Sequence, residues 1–252
     1  MSQLYPFSGY AMSMNVGQND VLENVAKVVP VILRWIQKRR DFIANENERI
    51  ARLKELKGYE GENLEFHVLR SPTLREILQY EIDTDLHDGK LPTLKEESAA
   101  MGLLWIKRHF QYQLINYSNM RSGKYDTASK AVAAGYKETY DNYHSWAVQK
   151  IFHFTIYNMP DSKEMYKTMN PRYFRQLSLE SRASSSSLEE DDFSQSSQDT
   201  DYEEEILEQR VVDKLNIETH RQMSEMLKVC RPILEDLSGL FDEMNMNDPK
   251  RV

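Results

Sequence analysis

Residues 94–117 read LKEESAAMGLLWIKRHFQYQLINY, and this stretch decides the fold class. Leu103, Ile106, Phe110, Leu114 and Tyr117 recur at three- and four-residue steps, the spacing that lines apolar side chains along one face of an α-helix. A second face, turned about 100° or more from the first, carries Met101, Trp105, Arg108 and Tyr112. A helix with a full apolar stripe has no need of a second aromatic face. Two explanations fit: burial on both sides within a layered bundle, or a platform on which a ligand stacks. An indole offers a flat apolar surface to a sugar ring, and Arg108 places hydrogen-bond donors beside it.

The same period extends in both directions. In VILRWIQKRRDFIANENERIARLKEL, residues 31–56, Ile32, Ile36, Ile43 and Ile50 lie roughly opposite Asp41, Asn45 and Glu48. Those three polar residues fall within about 60° of one another, either as a solvated face or as a carboxylate and an amide that grip polar groups together. In AVAAGYKETYDNYHSWAVQKIFHFTIY, residues 131–157, a continuous helix sets His144 on one face with Tyr140, Val148 and Ile151. Such a histidine is either a satisfied core residue or one aimed polar group at the mouth of an apolar cavity. Trp146 and Lys150 point away from it, a pairing suited to a membrane interface or to plain solvent exposure. From about 204 to 246, Met223, Met226, Leu227, Cys230, Ile233, Leu234, Leu237, Leu240, Phe241 and Met244 form one stripe, read as a core helix that Pro232 bends or interrupts. No segment alternates as a strand does, and nine glycines serve 252 residues. The chain reads as all-α.

Composition narrows the function classes. No run reaches the roughly 20 apolar residues of a membrane span, and the N-terminus lacks a secretory pattern. A single cysteine, Cys230, has no internal partner, so a reducing, cytoplasmic setting is expected. Residues 180–205 hold ten acidic side chains against Arg182 alone, a net of −9 within a total of −8, which leaves the rest of the chain at about +1. Nucleic acid would ask for a basic face, and none is expected as a partner; docking on a membrane surface stays open. Residues 1–20 are polar and aperiodic, expected to be loosely ordered. Residues 21–252 read as one domain, interrupted at about 179–205 by a Ser-rich acidic insertion expected to be disordered. There is no phosphate-cradling glycine loop, no cysteine pair for zinc and no nucleophile elbow, and the six histidines lack metal-ligand spacing. Neither an enzyme nor a metal or cofactor is expected.

In their order along the chain these segments resemble the glycolipid transfer protein family. GLLWIKRHFQYQ is similar to its Leu-Leu-Trp-Leu-Lys-Arg helix, and GYKETYDNYHSWAVQKIFHFTIYNMP to its Tyr-His-Gly-Trp helix with the Gln-Lys-Ile-Phe that follows. DFIAN fits the Asp-x-x-x-Asn element and TLREILQYEI the helix between. The similarity runs from about 35 to 178 and resumes weakly from about 211. It implies a two-layer helical sandwich that encloses lipid chains, and a monomer that carries a sphingolipid, glycosylceramide, between membranes it touches only transiently. By the same resemblance Asp41 accepts from the lipid amide N–H, His144 donates to the amide carbonyl, Asn45 bonds sugar hydroxyls and Trp105 stacks under the first sugar. Trp146 and Lys150 then meet the membrane.

The departures bear on the headgroup. Where the glycolipid branch has a lysine, this chain has Glu48, followed by Arg49 at about 80° around the helix from Asp41. Arg49, Glu48 and Arg108 are further candidate headgroup contacts. The branch that binds phosphorylated ceramide has a basic residue where Asn45 stands and an arginine where Trp105 stands, and Glu48 would repel a phosphate. Ceramide-1-phosphate transfer is therefore the alternative ligand reading. A lipid-sensing adapter, with residues 180–205 as a phosphorylatable tail for a protein partner, is the alternative of another class. The acidic tract has no family counterpart, and the family's first helix is not evident in residues 1–25.

Overall fold

The computed structural model describes residues 5–55, 66–186 and 197–251. Among the described residues there are helices and no strands: α1 Tyr5–Glu55, α2 Leu74–Asp83, α3 Ala99–Arg121, α4 Ala128–Thr139, α5 Trp146–Tyr157, α6 Ser162–Met169, α7 Pro171–Ser186 and α8 Ser197–Glu243. The all-α reading holds. Residues 5–20, expected to be loose, lie within α1. The acidic insertion is also helical at both flanks, to Ser186 in α7 and from Ser197 in α8, while residues 187–196 lie outside the described residues. Extending a helix that folded neighbours have already nucleated is far easier than starting one, which composition alone does not register. Pro232 likewise stays inside α8, as Pro30 does inside α1, each forgoing one backbone hydrogen bond.

Residues 131–157 are not one helix. α4 ends at Thr139, where the N–H groups of Tyr140 and Asp141 both turn back to the Tyr136 carbonyl at 2.9 and 3.2 Å. The N–H groups of Tyr143 and His144 then donate to the Tyr140 carbonyl, and α5 starts afresh at Trp146 behind Ser145. Asp141-Asn142 followed by Ser145 is a turn and N-cap signal that the apolar periodicity had overridden.

The contacts divide the chain into two compact units. One comprises residues 15–110 and 235–251. Its second helix is defined by a capping box: Thr73 Oγ accepts from Glu76 N–H while Glu76 returns to Thr73 N–H. Arg70 grips the same carboxylate at 2.6 and 2.8 Å and holds it down to about 2. On the inner side of α2, Glu81 is 1 % exposed, and its two oxygens accept from the Ala99 and Ala100 N–H groups at 2.6 and 2.9 Å. These donors have no partner within α3 itself, so the carboxylate caps the helix and complements the positive end of its dipole. Ser98 Oγ takes the Met101 N–H at 3.0 Å. Beyond this start, Ala99 through Trp105 are buried without interruption, and Gly102 faces the Asn24 carbonyl of α1 so closely that a Cβ would lie 2.5 Å from it. The segment after α8 packs on α3: Asp248 accepts from Leu94 N–H at 2.8 Å, Lys107 donates to Asn247, and the Lys107 ammonium lies 5.0 Å from the Phe241 ring centre.

The other unit comprises residues 111–234 together with 5–14. Its core gathers Ala128, Met165, Tyr166, Leu177, Val211, Leu215 and Met223 from α4, α6, α7 and α8. Along α8 the buried line is Val211, Leu215, Thr219, Met223 and Leu227, while Met226 and Ile233 of the expected stripe face outward. Asn170 donates to Thr219 at 2.8 Å, and Tyr166 meets His220 Nε2 at 3.0 Å.

Two outcomes follow for the unit built around α3. Replacing Glu81 by Gln puts an amide NH2 against a backbone donor, so urea unfolding should show a loss of about 2–3 kcal/mol; an unchanged midpoint would remove Glu81 from that role. Burial pushes the Lys107 ammonium down to about 8 from 10.5, with Asp242 opposing and Arg108 assisting. Between about pH 8 and 10 the unfolded chain then binds more protons, so this residue's contribution makes stability rise with pH. The stability of the natural chain relative to Lys107→Met should increase across that window, and parallel pH profiles would contradict the assignment.

Candidate functional site

Asp41, Asn45, Glu48 and Arg49 stand on the exposed outer part of α1, as the helical spacing requires. The Asp41 carboxylate accepts from Gln37 one turn earlier at 2.9 Å, which fixes one oxygen. The charged pair beyond it is engaged along the helix: Glu48 bonds Arg52, and Arg49 forks onto Glu46 through Nε at 2.8 Å and Nη2 at 2.5 Å. Arg49 is thus directed to a carboxylate on its own helix. On the core side of α1, Ile43 and Ile50 are buried and Ile32 and Ile36 half-buried.

Trp105 comes from α3, where burial does not follow the single stripe read from sequence. Met101, Trp105 and Arg108 are buried, whereas Phe110 of the expected core stripe is half exposed and Ile106 and Tyr117 are only partly covered. α3 is therefore buried on both sides through its first turns. Trp105 keeps 8 % of its surface exposed, and the Arg108 guanidinium carbon lies 4.7 Å from the indole centre. Arg108 in turn donates to the Asp248 carbonyl in the segment after α8. A cation held over an indole by a backbone acceptor fixes the ring's tilt. Beside α2 lies a groove of about 330 Å3, lined among others by Trp35, Phe42, Gln79 and Tyr80 and by none of the expected headgroup residues.

Residues 15–110 and 235–251 hold those groups; His144, Trp146 and Lys150 belong to the other unit. His144 sits in the turn between α4 and α5 and is buried. The Tyr140 ring stacks on its imidazole at 4.8 Å and 10°, Phe152 closes in at 5.0 Å, and the Tyr136 hydroxyl meets Nδ1 at 3.0 Å. From the α5 side, Gln149 donates to the Asp141 carbonyl at 2.8 Å and ties the turn down. Burial first, then the Asp141 charge and Tyr112, push the Tyr136 phenol up to about 12, so it stays protonated. Tyr136 was not singled out from sequence. On an unbroken helix it would stand about 12 Å from His144 along the axis, and only the turn brings the two together.

α5 shows the opposite environment. Trp146 is 73 % exposed, Phe154 70 % and Tyr157 86 %, with Ile151 also outward and the Lys150 ammonium 5.7 Å from the Trp146 ring centre. At 100° per residue Trp146, Lys150, Phe154 and Tyr157 share a sector of about 80°. The sequence reading named only Trp146 and Lys150; steps of four, four and three residues were the available signal. No described helix is long and apolar enough to cross a membrane, and no described cluster of His, Cys, Asp or Glu could hold a metal ion.

A glycolipid transfer protein of Danio rerio is 26 % identical over 106 residues, 40 % of this chain and 48 % of that protein, so the chain spans about half the length of this relative. A solved structure described as "How FAPP2 Selects Simple Glycosphingolipids Using the GLTP-fold" is 14 % identical, with a TM-score of 0.47 and coverage of 90 % of this chain and 84 % of that one. Human ceramide-1-phosphate transfer protein in complex with 12:0 ceramide-1-phosphate is 15 % identical, with a TM-score of 0.42 and coverage of 95 % and 86 %. The family model described as glycolipid transfer protein (GLTP) matches residues 13–171, starting upstream of about residue 35, where the similarity read from the sequence begins. With more than half its length matched, this chain belongs to the glycolipid transfer protein family.

Proposed function

We propose that the chain binds one sphingolipid, glycosylceramide in preference to a phosphorylated ceramide, and moves it between membranes without chemical change. The observation that carries this reading is His144, a buried imidazole hydrogen-bonded through Nδ1 and enclosed by aromatic rings, in a family member whose sequence has Asp41, Asn45 and Trp105. A ceramide amide offers one donor and one acceptor; the Asp41 carboxylate takes the first and the imidazole serves the second. Leaving either amide group unpaired beside an apolar pocket costs about 1–3 kcal/mol, so the pair selects for sphingolipids over lipids lacking an amide. The lipid chains supply the bulk of the affinity, roughly 0.8 kcal/mol per buried methylene.

Sugar recognition falls to Asn45, whose side chain is exposed one turn beyond Asp41, and to the Trp105 ring braced by Arg108. Glu48 adds a carboxylate on the same face, able to accept from sugar hydroxyls and repulsive to a phosphate. Arg49, held by Glu46, is the weaker replacement for the family lysine. The exposed aromatic sector of α5, with Lys150 among its rings, is the surface that meets the membrane during uptake and release.

Transfer of fluorescent glucosylceramide between vesicles tests the whole reading. The natural chain should transfer it faster than ceramide-1-phosphate. His144→Leu should lower the rate roughly five- to 150-fold, the equivalent of one unpaired amide carbonyl. Trp105→Ala should reduce glucosylceramide transfer more than ceramide transfer. No transfer by the natural chain, or equal rates with His144→Leu, would overturn it. Vesicle sedimentation with Trp146→Ala should show about tenfold weaker membrane partitioning, in line with losing one buried aromatic side chain.

A further inference from the structure

A neutral imidazole carries a single N–H, and its two tautomers present opposite chemistry at each nitrogen. With the proton on Nε2, that edge donates and Nδ1 accepts. With the proton on Nδ1, the Nε2 edge can only accept, and it would repel an amide carbonyl. Which form exists is decided by the partner of the other nitrogen. In this chain that partner is the Tyr136 hydroxyl, 3.0 Å from His144 Nδ1, with the tyrosine fully buried and the histidine nearly so.

We propose that Tyr136 is a positioning residue that fixes His144 as the Nε2–H tautomer, so that Nε2 is committed as a donor, the form a carbonyl of the bound lipid requires. This rests on the reading of His144 as the amide-carbonyl partner and adds to it the residue that makes the histidine a donor. Three observations carry it. First, a phenol is a better donor than acceptor, and this one remains protonated throughout the neutral range, because burial and nearby negative charge disfavour the phenolate. Second, the rotation that would change the arrangement is blocked. Tyr140 lies flat on the imidazole, 10° from parallel, and Phe152 packs on both His144 and Tyr136, the latter at 4.9 Å and 24°. A ring flip about Cβ–Cγ would carry Nδ1 away from the Tyr136 hydroxyl and put the Cδ2 carbon in its place. Third, the geometry depends on the break between α4 and α5. Tyr136 is on the last turns of α4, His144 is in the turn, and Phe152 is on α5, so the three converge only because the chain reverses between them.

The same unit holds an internal control. Tyr166 bonds His220 Nε2 at 3.0 Å, a second phenol–imidazole pair away from the turn. Removing either hydroxyl costs the fold a comparable hydrogen bond. Only one removal should affect the ligand.

The test uses the full chain with 15N-labelled histidine. Long-range 1H–15N correlation of the natural protein should show His144 as the Nε2–H form. Tyr136→Phe keeps the stacked ring and removes the hydroxyl; it should give a mixture of tautomers and about tenfold weaker glucosylceramide binding. Tyr166→Phe should match it in lost thermal stability and leave glucosylceramide binding unchanged. A natural protein with the proton on His144 Nδ1 overturns the proposal whatever the variants do. So does a Tyr136→Phe protein that binds glucosylceramide as the natural chain does, or a Tyr166→Phe protein weakened equally. If the natural chain binds no glucosylceramide at all while His144 is in the Nε2–H form, the ligand reading fails and the lipid part of the proposal falls with it, whereas the tautomer assignment survives.

Discussion

A buried carboxylate sets the frame for the unit that contains Trp105. Glu81 reaches from α2 to the first free N–H groups of α3, and almost none of its surface meets water. A buried carboxyl group needs hydrogen-bond partners, and the helix start supplies donors that nothing else in the helix can use. The bond therefore fixes two things at once: where α3 begins and its rotation about its own axis. Every side chain downstream inherits that phase. Trp105 and Arg108 lie about two turns from the cap, so their direction follows from a contact neither of them makes.

The candidate lipid-binding residues are held by two unlike devices, one in each unit. Trp105 is braced from behind by a cation, and the cation is anchored to a backbone carbonyl of the segment after α8. His144 is locked by a phenol and a stacked ring within a single reversal of the chain. In both cases the candidate group has its own rotamer fixed by its neighbours in the fold. Loss of side-chain freedom on binding is then small, which favours affinity from few polar contacts.

Much of the fold was legible because helical periodicity records burial directly. Ile43, Ile50, Leu103 and Leu114 were read as core and are buried. The reading failed where local backbone chemistry competes with periodicity. Tyr140, His144, Val148 and Ile151 sit at ideal helical spacing, yet Asp141-Asn142 and Ser145 end one helix and start another there. Within α3, polarity misled: Arg108 looks like a solvent-facing residue, but its guanidinium is satisfied by an indole and a carbonyl far along the chain. The acidic, serine-rich flanks of residues 187–196 looked unable to bury anything, and their helical form borrows its nucleus from α7 and α8. Long-range partners of this kind leave no trace in a window of ten or twenty residues. The motifs around Trp105 and His144 were visible from sequence, and the Tyr136 bond was not.

The meeting of α1 and α3 at Gly102 limits how this protein can change. Main chain lies against main chain there, with the Asn24 carbonyl on one side and the Lys27 Cβ close by. Because no rotamer exists to absorb a substitution, even alanine would have to push the helices apart along their length. A saturation library at codon 102 should return glycine almost alone, while Phe110, two turns on and half exposed, accepts many residues.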